Sequence, residues 1–102
     1  MEVIQESLKN ALSYEEYRTI VLNLLNENKS TTKNGSEALV EYSKLNNSRM
    51  KRLDKTIKLT DEVKLSLSET DRQITWVVIT EGWCGDAAQN LPIINKFAEA
   101  SP

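Results

Sequence analysis

Apolar residues recur at intervals of three and four along most of the chain, which is the spacing of amphipathic helices. We predict helices over residues 2–12, 14–27, 36–55 and 84–100, and a shorter helix that starts after Thr60 and ends near residues 68–71. Ser13 and Glu16 form a capping-box pattern, so the second helix should begin directly after Ser13. The second helix carries an apolar face that is interpreted as core packing, formed by Tyr14, Tyr17, Ile20, Val21, Leu24 and Leu25. The third helix keeps helical spacing at the apolar positions Leu39, Tyr42, Leu45, Met50 and Leu53.

Two stretches of the sequence stand out because they are rich in polar or charged residues. Residues 26–36 predict a connector that turns at Asn34 and Gly35, because both residue types tolerate positive φ. Residues 49–52, with the sequence Arg-Met-Lys-Arg, concentrate positive charge on the third helix. This cluster is interpreted either as a solvated helix face or as a docking patch for an acidic partner or a phosphate.

Residues 74–80 differ from the rest of the chain because they are apolar and β-branched. They predict a strand over about residues 73–80. Alternate residues along it give two apolar faces, so we expect a strand that is covered on both sides, as in an α/β sheet. Such a strand needs neighbours, and we expect them to come from a second copy of the chain or from the remainder of a longer protein.

The only cysteine, Cys84, lies where this strand gives way to the last helix. The unpaired N–H groups and the positive dipole end of a helix stabilise a thiolate, which is the reactive form of cysteine. Cys84 is therefore a candidate nucleophile. The alternative interpretation is a thiol that packs as a small apolar side chain.

The residues around Cys84 resemble a known family. Trp83-Cys84-Gly85-Asp86-Ala87, with Pro92 eight residues after the cysteine, is similar to the active-site turn of thioredoxin-like proteins, in which Trp-Cys-Gly-Pro-Cys begins a helix. Residues 76–100 and the helical sequence before them resemble a subfamily with a helical N-terminal extension and the motif Glu-Gly-Trp-Cys-Gly-Asp.

This resemblance implies a helix-rich α/β protein, an incomplete thioredoxin-like fold with an N-terminal helical extension. The extension would span residues 1–71, and residues 72–102 would supply the first strand, the active-site turn and the helix of the redox domain, apparently truncated after that unit. The resemblance implies Cys84 as the catalytic residue. The implied active-site turn comprises Trp83, Gly85, Asp86, Ala87 and Pro92.

Two departures from the family pattern bear on the chemistry. Ala87 occupies the position of the second, resolving cysteine, so an intramolecular dithiol cycle cannot occur. Val78 falls where the family has a buried acid, and its side chain cannot take up a proton. The function expected from the resemblance is thiol–disulfide exchange of Cys84 with a protein or a low-molecular-weight thiol or disulfide. The alternative is a non-catalytic interaction module whose helical region makes the contacts, through Tyr14, Tyr17, Tyr42 and the basic cluster.

Composition limits the other classes of partner. Thirteen basic and fifteen acidic side chains leave a net charge of -2, which gives no electrostatic reason to expect a nucleic acid or an anionic membrane. With one cysteine and no histidine, no metal site is expected, and no cofactor is implied. The first residues do not resemble a secretory signal, so we expect a cytoplasmic protein, with a homodimer formed through strand pairing as a further expectation.

Overall fold

The computed structural model describes residues 2–101, except for the side chains of Glu2 and Ile4. In that part of the chain the regular structure consists of five helices. They are α1 (Glu2–Lys9), α2 (Tyr14–Asn26), α3 (Glu37–Thr56), α4 (Asp61–Ser68) and α5 (Gly85–Ala100).

The helix starts that the sequence predicts are confirmed at two caps. The Glu16 backbone N–H donates to Ser13 Oγ at 3.1 Å, and the Ser13 N–H donates to Glu16 Oε1 at 3.0 Å, which completes the capping box before α2. The Val63 N–H donates to Thr60 Oγ1 at 3.2 Å at the start of α4. These bonds satisfy end N–H groups that have no partner within the helix.

The long helix α3 is central to the fold, because it packs against both α2 and α5, while α4 packs on α5. Met50 of α3 lies against Ala88 and Leu91 of α5 in the buried cluster, and Tyr14 and Tyr17 of α2 close one side of it. The buried apolar set among the described residues is small, because many of the large apolar side chains are exposed.

Polar contacts also join α2 to α3. The Tyr14 hydroxyl donates to Asp54 Oδ1 at 2.8 Å, and Arg18 donates from Nη1 to Asn47 Oδ1 at 2.7 Å. The Arg18 Nε lies 3.5 Å from Asp54 Oδ2. Burial, followed by the bond to Asp54, raises the pKa of Tyr14 far above its ordinary value, so this phenol stays a neutral donor.

The buried face of α3 only partly follows the predicted apolar pattern, in which Met50 is buried. Tyr42 and Leu45 are 58% and 47% exposed, whereas Val40, Ser43, Asn46 and Met50 are buried. The buried positions still follow the helical period. Two of them are polar because they face a backbone segment, described below, rather than an apolar surface.

The prediction of a doubly covered strand is wrong for this structure. Residues 73–80 are neither helix nor strand, and their large apolar side chains are exposed, up to 99% for Ile79. Within the described residues, no backbone–backbone hydrogen bond involves residues 73–80. A strand needs a neighbour for its N–H and C=O groups, and residues 2–101 place none beside it. The helix-rich part of the fold-class prediction is thus confirmed, and a sheet is not seen among these residues.

None of the helices in residues 2–101 combines the length and apolar character needed to cross a membrane.

Candidate active site around Cys84

Cys84 is the N-cap residue of α5. Its backbone is extended, with φ −79° and ψ 114°, and its C=O accepts the first bond of the helix from the Ala88 N–H at 3.1 Å. Its own N–H donates to the Glu81 carbonyl at 3.0 Å, which closes a tight turn over residues 81–84. The residue is partly exposed, and its side chain makes no capping bond to the helix. Cys84 therefore stands at a helix end whose first N–H groups have no intrahelical partner.

The other predicted site residues on α5 fall on different faces. Asp86 is exposed in the first turn, and its backbone carbonyl accepts from Asn90 Nδ2 at 2.7 Å. Ala87 is half-buried and packs against the Met50 cluster. Pro92 lies inside the helix with its side chain fully buried, so the helix passes over the core at the point where the backbone lacks a donor.

Two threonines of the α2–α3 connector hold the turn in place. Thr31 Oγ1 accepts from the Gly82 N–H at 3.0 Å and donates to Glu81 Oε2. Thr32 Oγ1 accepts from Trp83 Nε1 at 2.7 Å and donates to the same carboxylate oxygen at 3.3 Å. Each hydroxyl uses both its donor and an acceptor position. Three consecutive residues before Cys84 are thereby fixed to a segment about fifty residues earlier in the sequence.

The connector itself is shaped by residues of special backbone geometry. Asn28 and Asn34 both have φ 58°, in the left-handed region that asparagine tolerates. A Cβ at Gly35 would approach Ser30 Oγ at 3.0 Å and the Thr32 carbonyl oxygen at 3.1 Å, so a larger residue would displace the chain next to Thr32. The predicted turn at Asn34 and Gly35 is confirmed, and its close packing is what presents the two threonines.

The third support comes from α3. Asn46, only 2% exposed, donates from Nδ2 to the Gly82 carbonyl at 3.3 Å. Its Oδ1 accepts from Arg49 Nη1 at 3.1 Å. A Cβ at Gly82 would lie 3.5 Å from Ser43 Oγ, which shows how closely the turn packs on α3. Asn46 thus pairs a buried polar side chain of α3 with a backbone carbonyl of the turn before Cys84.

Tyr17 borders the site from α2. Its hydroxyl lies 3.5 Å from Thr80 Oγ1. Burial raises the pKa of Tyr17 and outweighs the hydrogen bond to Thr80, which lowers it. Tyr17 therefore remains a neutral phenol at physiological pH.

The supporting residues were not among the sites predicted from the sequence. Thr31 and Thr32 belong to the predicted polar connector, and Arg49 to the basic cluster, where nothing in the sequence connects them to Cys84. The sequence contains one indication of this role for α3. Its residues Val40, Ser43, Asn46 and Met50 are spaced by three and four positions, so two polar and two apolar side chains lie on the same face of the helix.

Among residues 2–101, no group of three or more acidic or cysteine side chains lies close enough to hold a metal ion.

The fold and the site define a protein in which the only cysteine is the N-cap residue of a proline-containing helix. The turn before this cysteine is held by hydrogen bonds to the preceding helical region. The chain belongs to the thioredoxin family, because a family model described as thioredoxin matches residues 32–102. The match includes α3, α4, the extended segment, the active-site turn and α5. No curated protein and no solved structure shows significant similarity to the chain.

Proposed function

We propose that this thioredoxin-family protein exchanges thiols and disulfides through Cys84 alone. We further propose that it belongs to the subfamily with the motif Glu-Gly-Trp-Cys-Gly-Asp, which here occupies residues 81–86. The observation that carries the proposal is the position of Cys84 as the partly exposed N-cap of α5, with a thiol that forms no capping bond.

The chemistry requires two external sulfur groups. The Cys84 thiolate attacks one sulfur of a disulfide, a bond forms between them, and the other sulfur leaves as a thiolate that takes up a proton. A thiol from solution or from a partner protein then attacks the substrate-derived sulfur of the mixed disulfide, forms a new disulfide with it and releases Cys84 as a thiolate that takes up a proton. Over the cycle the incoming thiol replaces one half of the original disulfide, and the other half is released as a thiol. Ala87 cannot resolve the mixed disulfide, so the second thiol must come from outside the chain.

The bracing of the turn supports this role. The contacts of Thr31, Thr32 and Asn46 hold the residues that lead into Cys84, so its backbone has a defined place at the start of α5. The helix end offers unpaired N–H groups to the negative charge that the sulfur carries during attack and release. A side chain that only filled a gap in the core would not need an exposed edge.

The test is mixed-disulfide formation with oxidised glutathione, followed by intact mass, and alkylation by iodoacetamide at pH 7, both in native buffer and in denaturant. We expect the mixed disulfide to form in native buffer and the native thiol to be alkylated at least as fast as the denatured one. The Cys84→Ser variant is the control that must show neither product. A native thiol that reacts only after denaturant is added would contradict the proposal.

A second candidate is an interaction module that uses the helical region. The observation in its favour is the outward face of α3, where Tyr42 and Leu45, one helical turn apart, are both exposed. Tyr14 and Tyr17 are half-buried with their hydroxyls engaged, so they offer less to a partner than the sequence alone predicts. In this case the Cys84→Ser variant would keep its partner and lose only the thiol chemistry.

Two further expectations accompany the proposal. A cycle that depends on an external thiol requires a reducing compartment, so we place the protein in the cytoplasm. We also keep the division into a helical extension, residues 1–71, and a redox unit, residues 72–102, as a proposal; the family match extends across this boundary to residue 32.

A further inference from the structure

The basic residues of the cluster at residues 49–52 on α3 differ in their exposure to solvent. Lys51 and Arg52 are exposed, whereas Arg49 is partly buried and bonded to Asn46. A Cβ at Gly85, the residue after Cys84, would lie 3.8 Å from Arg49 Nη1. One guanidinium of the cluster is therefore next to the first residue of α5.

The Arg49 side chain is held in place by its hydrogen bond to Asn46. Asn46 is buried, its amide donates to the Gly82 carbonyl of the active-site turn, and its carbonyl oxygen accepts from Arg49. The same side chain thus sets the distance between the turn and the guanidinium. Within residues 2–101, Arg49 takes part in none of the ion pairs, so no carboxylate bonded to it cancels its charge.

We infer that Arg49, held by the positioning residue Asn46, makes Cys84 selective for anionic reaction partners, that is, low-molecular-weight thiols and disulfides with a carboxylate near the sulfur. The inference rests on the proposed function, in that Cys84 must be accessible to such a partner. Guanidinium is the side-chain group best suited to a carboxylate, because its planar donors match the two oxygens. A positive charge beside the first residue of α5 raises the local concentration of anions at that end of the helix, over a screening length of about 8 Å at physiological ionic strength.

The test compares two alkylating reagents that react with the same sulfur and differ in charge. Iodoacetate is an anion and iodoacetamide is neutral, so the ratio of their rate constants measures the electrostatic preference of the site. We expect the Arg49→Gln substitution to lower the iodoacetate-to-iodoacetamide ratio about two- to fourfold at low salt, the size expected for one solvent-screened charge. The difference should vanish near 1 M salt, where the screening length is about 3 Å.

Matched variants separate this effect from general ones. Arg52→Gln removes the same charge from the exposed part of the cluster and should leave the ratio close to that of the unmodified protein. Arg49→Lys keeps the charge and should retain most of the preference. Asn46→Ala leaves every charge in place but removes the bond that holds Arg49, so the iodoacetate-to-iodoacetamide ratio should fall towards that of Arg49→Gln. If the role of Asn46 were merely structural, both rate constants would change together and the ratio would stay the same.

Equal ratios for Arg49→Gln and Arg52→Gln would overturn the inference, and this comparison stands even if the Asn46 variant does not fold. The outcome is separable from that of the proposed function. Glutathione mixed disulfide with no change in the ratio would leave the exchange role and remove the anion preference, whereas a lowered ratio without a mixed disulfide would do the reverse.

Discussion

At the scale of single residues, the active-site turn depends on hydroxyl groups that the sequence presents as ordinary connector positions. Thr31 is the clearest case, because one oxygen satisfies the Gly82 N–H and donates to the Glu81 carboxylate. Val78, where the resemblance would place a buried acid, is exposed on the extended segment. The residues that hold Cys84 thus come from the helical region before the motif.

The Thr31→Val substitution tests this dependence, because valine has nearly the same shape and cannot form either bond. It leaves the Gly82 N–H without its partner, and we expect the free energy of unfolding in urea to fall by about 1–2 kcal/mol. Amide hydrogen exchange at Gly82 should accelerate in the same variant.

Thr19→Val provides the control for the change of shape. The Thr19 hydroxyl is exposed and bonds only the Glu15 carbonyl of its own helix, so we expect a smaller loss of stability and no change at Gly82. Equal effects of the two substitutions on Gly82 exchange would show that Thr31 does not hold the turn.

At the scale of helices and loops, the elements defined by local interactions could be predicted from the sequence and the others could not. Helix α2 starts where the Ser13 and Glu16 pattern places it, and Asn34 takes the predicted positive φ, because both depend on neighbouring residues. The buried role of Asn46 depends on the Gly82 carbonyl, which is 36 positions away and has no side-chain signature. The prediction of a strand over residues 73–80 was wrong for the same reason, because strand pairing depends on a partner segment that is distant in the sequence.

The capping box before α2 predicts a pH dependence of stability. The bond from the Ser13 backbone N–H, followed by that to the Ser13 side chain, lowers the pKa of Glu16 from its ordinary value of 4.5. A carboxyl with a lowered pKa in the folded state stabilises the protein above its unfolded pKa, and this contribution is lost as the pH falls through the folded value. The thermal midpoint of the unmodified protein should exceed that of Glu16→Gln at pH 6, and the difference should disappear in strong acid.

Glu15→Gln is the matched control for this measurement. Glu15 also lies in the exposed first turn of α2, so it shares the favourable helix dipole but not the capping bonds. We expect a smaller difference at pH 6 than for Glu16→Gln. A Glu16→Gln difference that persisted unchanged at pH 2 would show that the charge of Glu16 is not its source.

At the scale of the whole molecule, the arrangement is flatter and more open than its length requires. The radius of gyration is 15.2 Å, against about 13 Å for a compact domain of 100 residues. The extended segment adds to this, with Ile74, Trp76, Val77, Val78 and Ile79 exposed. Contiguous apolar surface with unpaired backbone groups is the usual signature of a surface that another chain covers.

We propose that a second copy of the chain pairs with residues 73–80 as an antiparallel strand. Two identical segments present the same unpaired N–H and C=O groups, so a two-fold axis lets each satisfy the other and buries apolar side chains from both. Light scattering after size exclusion should show a mass that rises from monomer to dimer with protein concentration.

Ile79→Lys should shift this equilibrium towards monomer, because it places a charge at the most exposed apolar position of the segment. Leu65→Lys makes the same change on the exposed surface of α4 and should leave the equilibrium unaltered. A monomeric mass at every concentration, or equal responses to the two lysines, would mean that residues 73–80 are not the contact between copies.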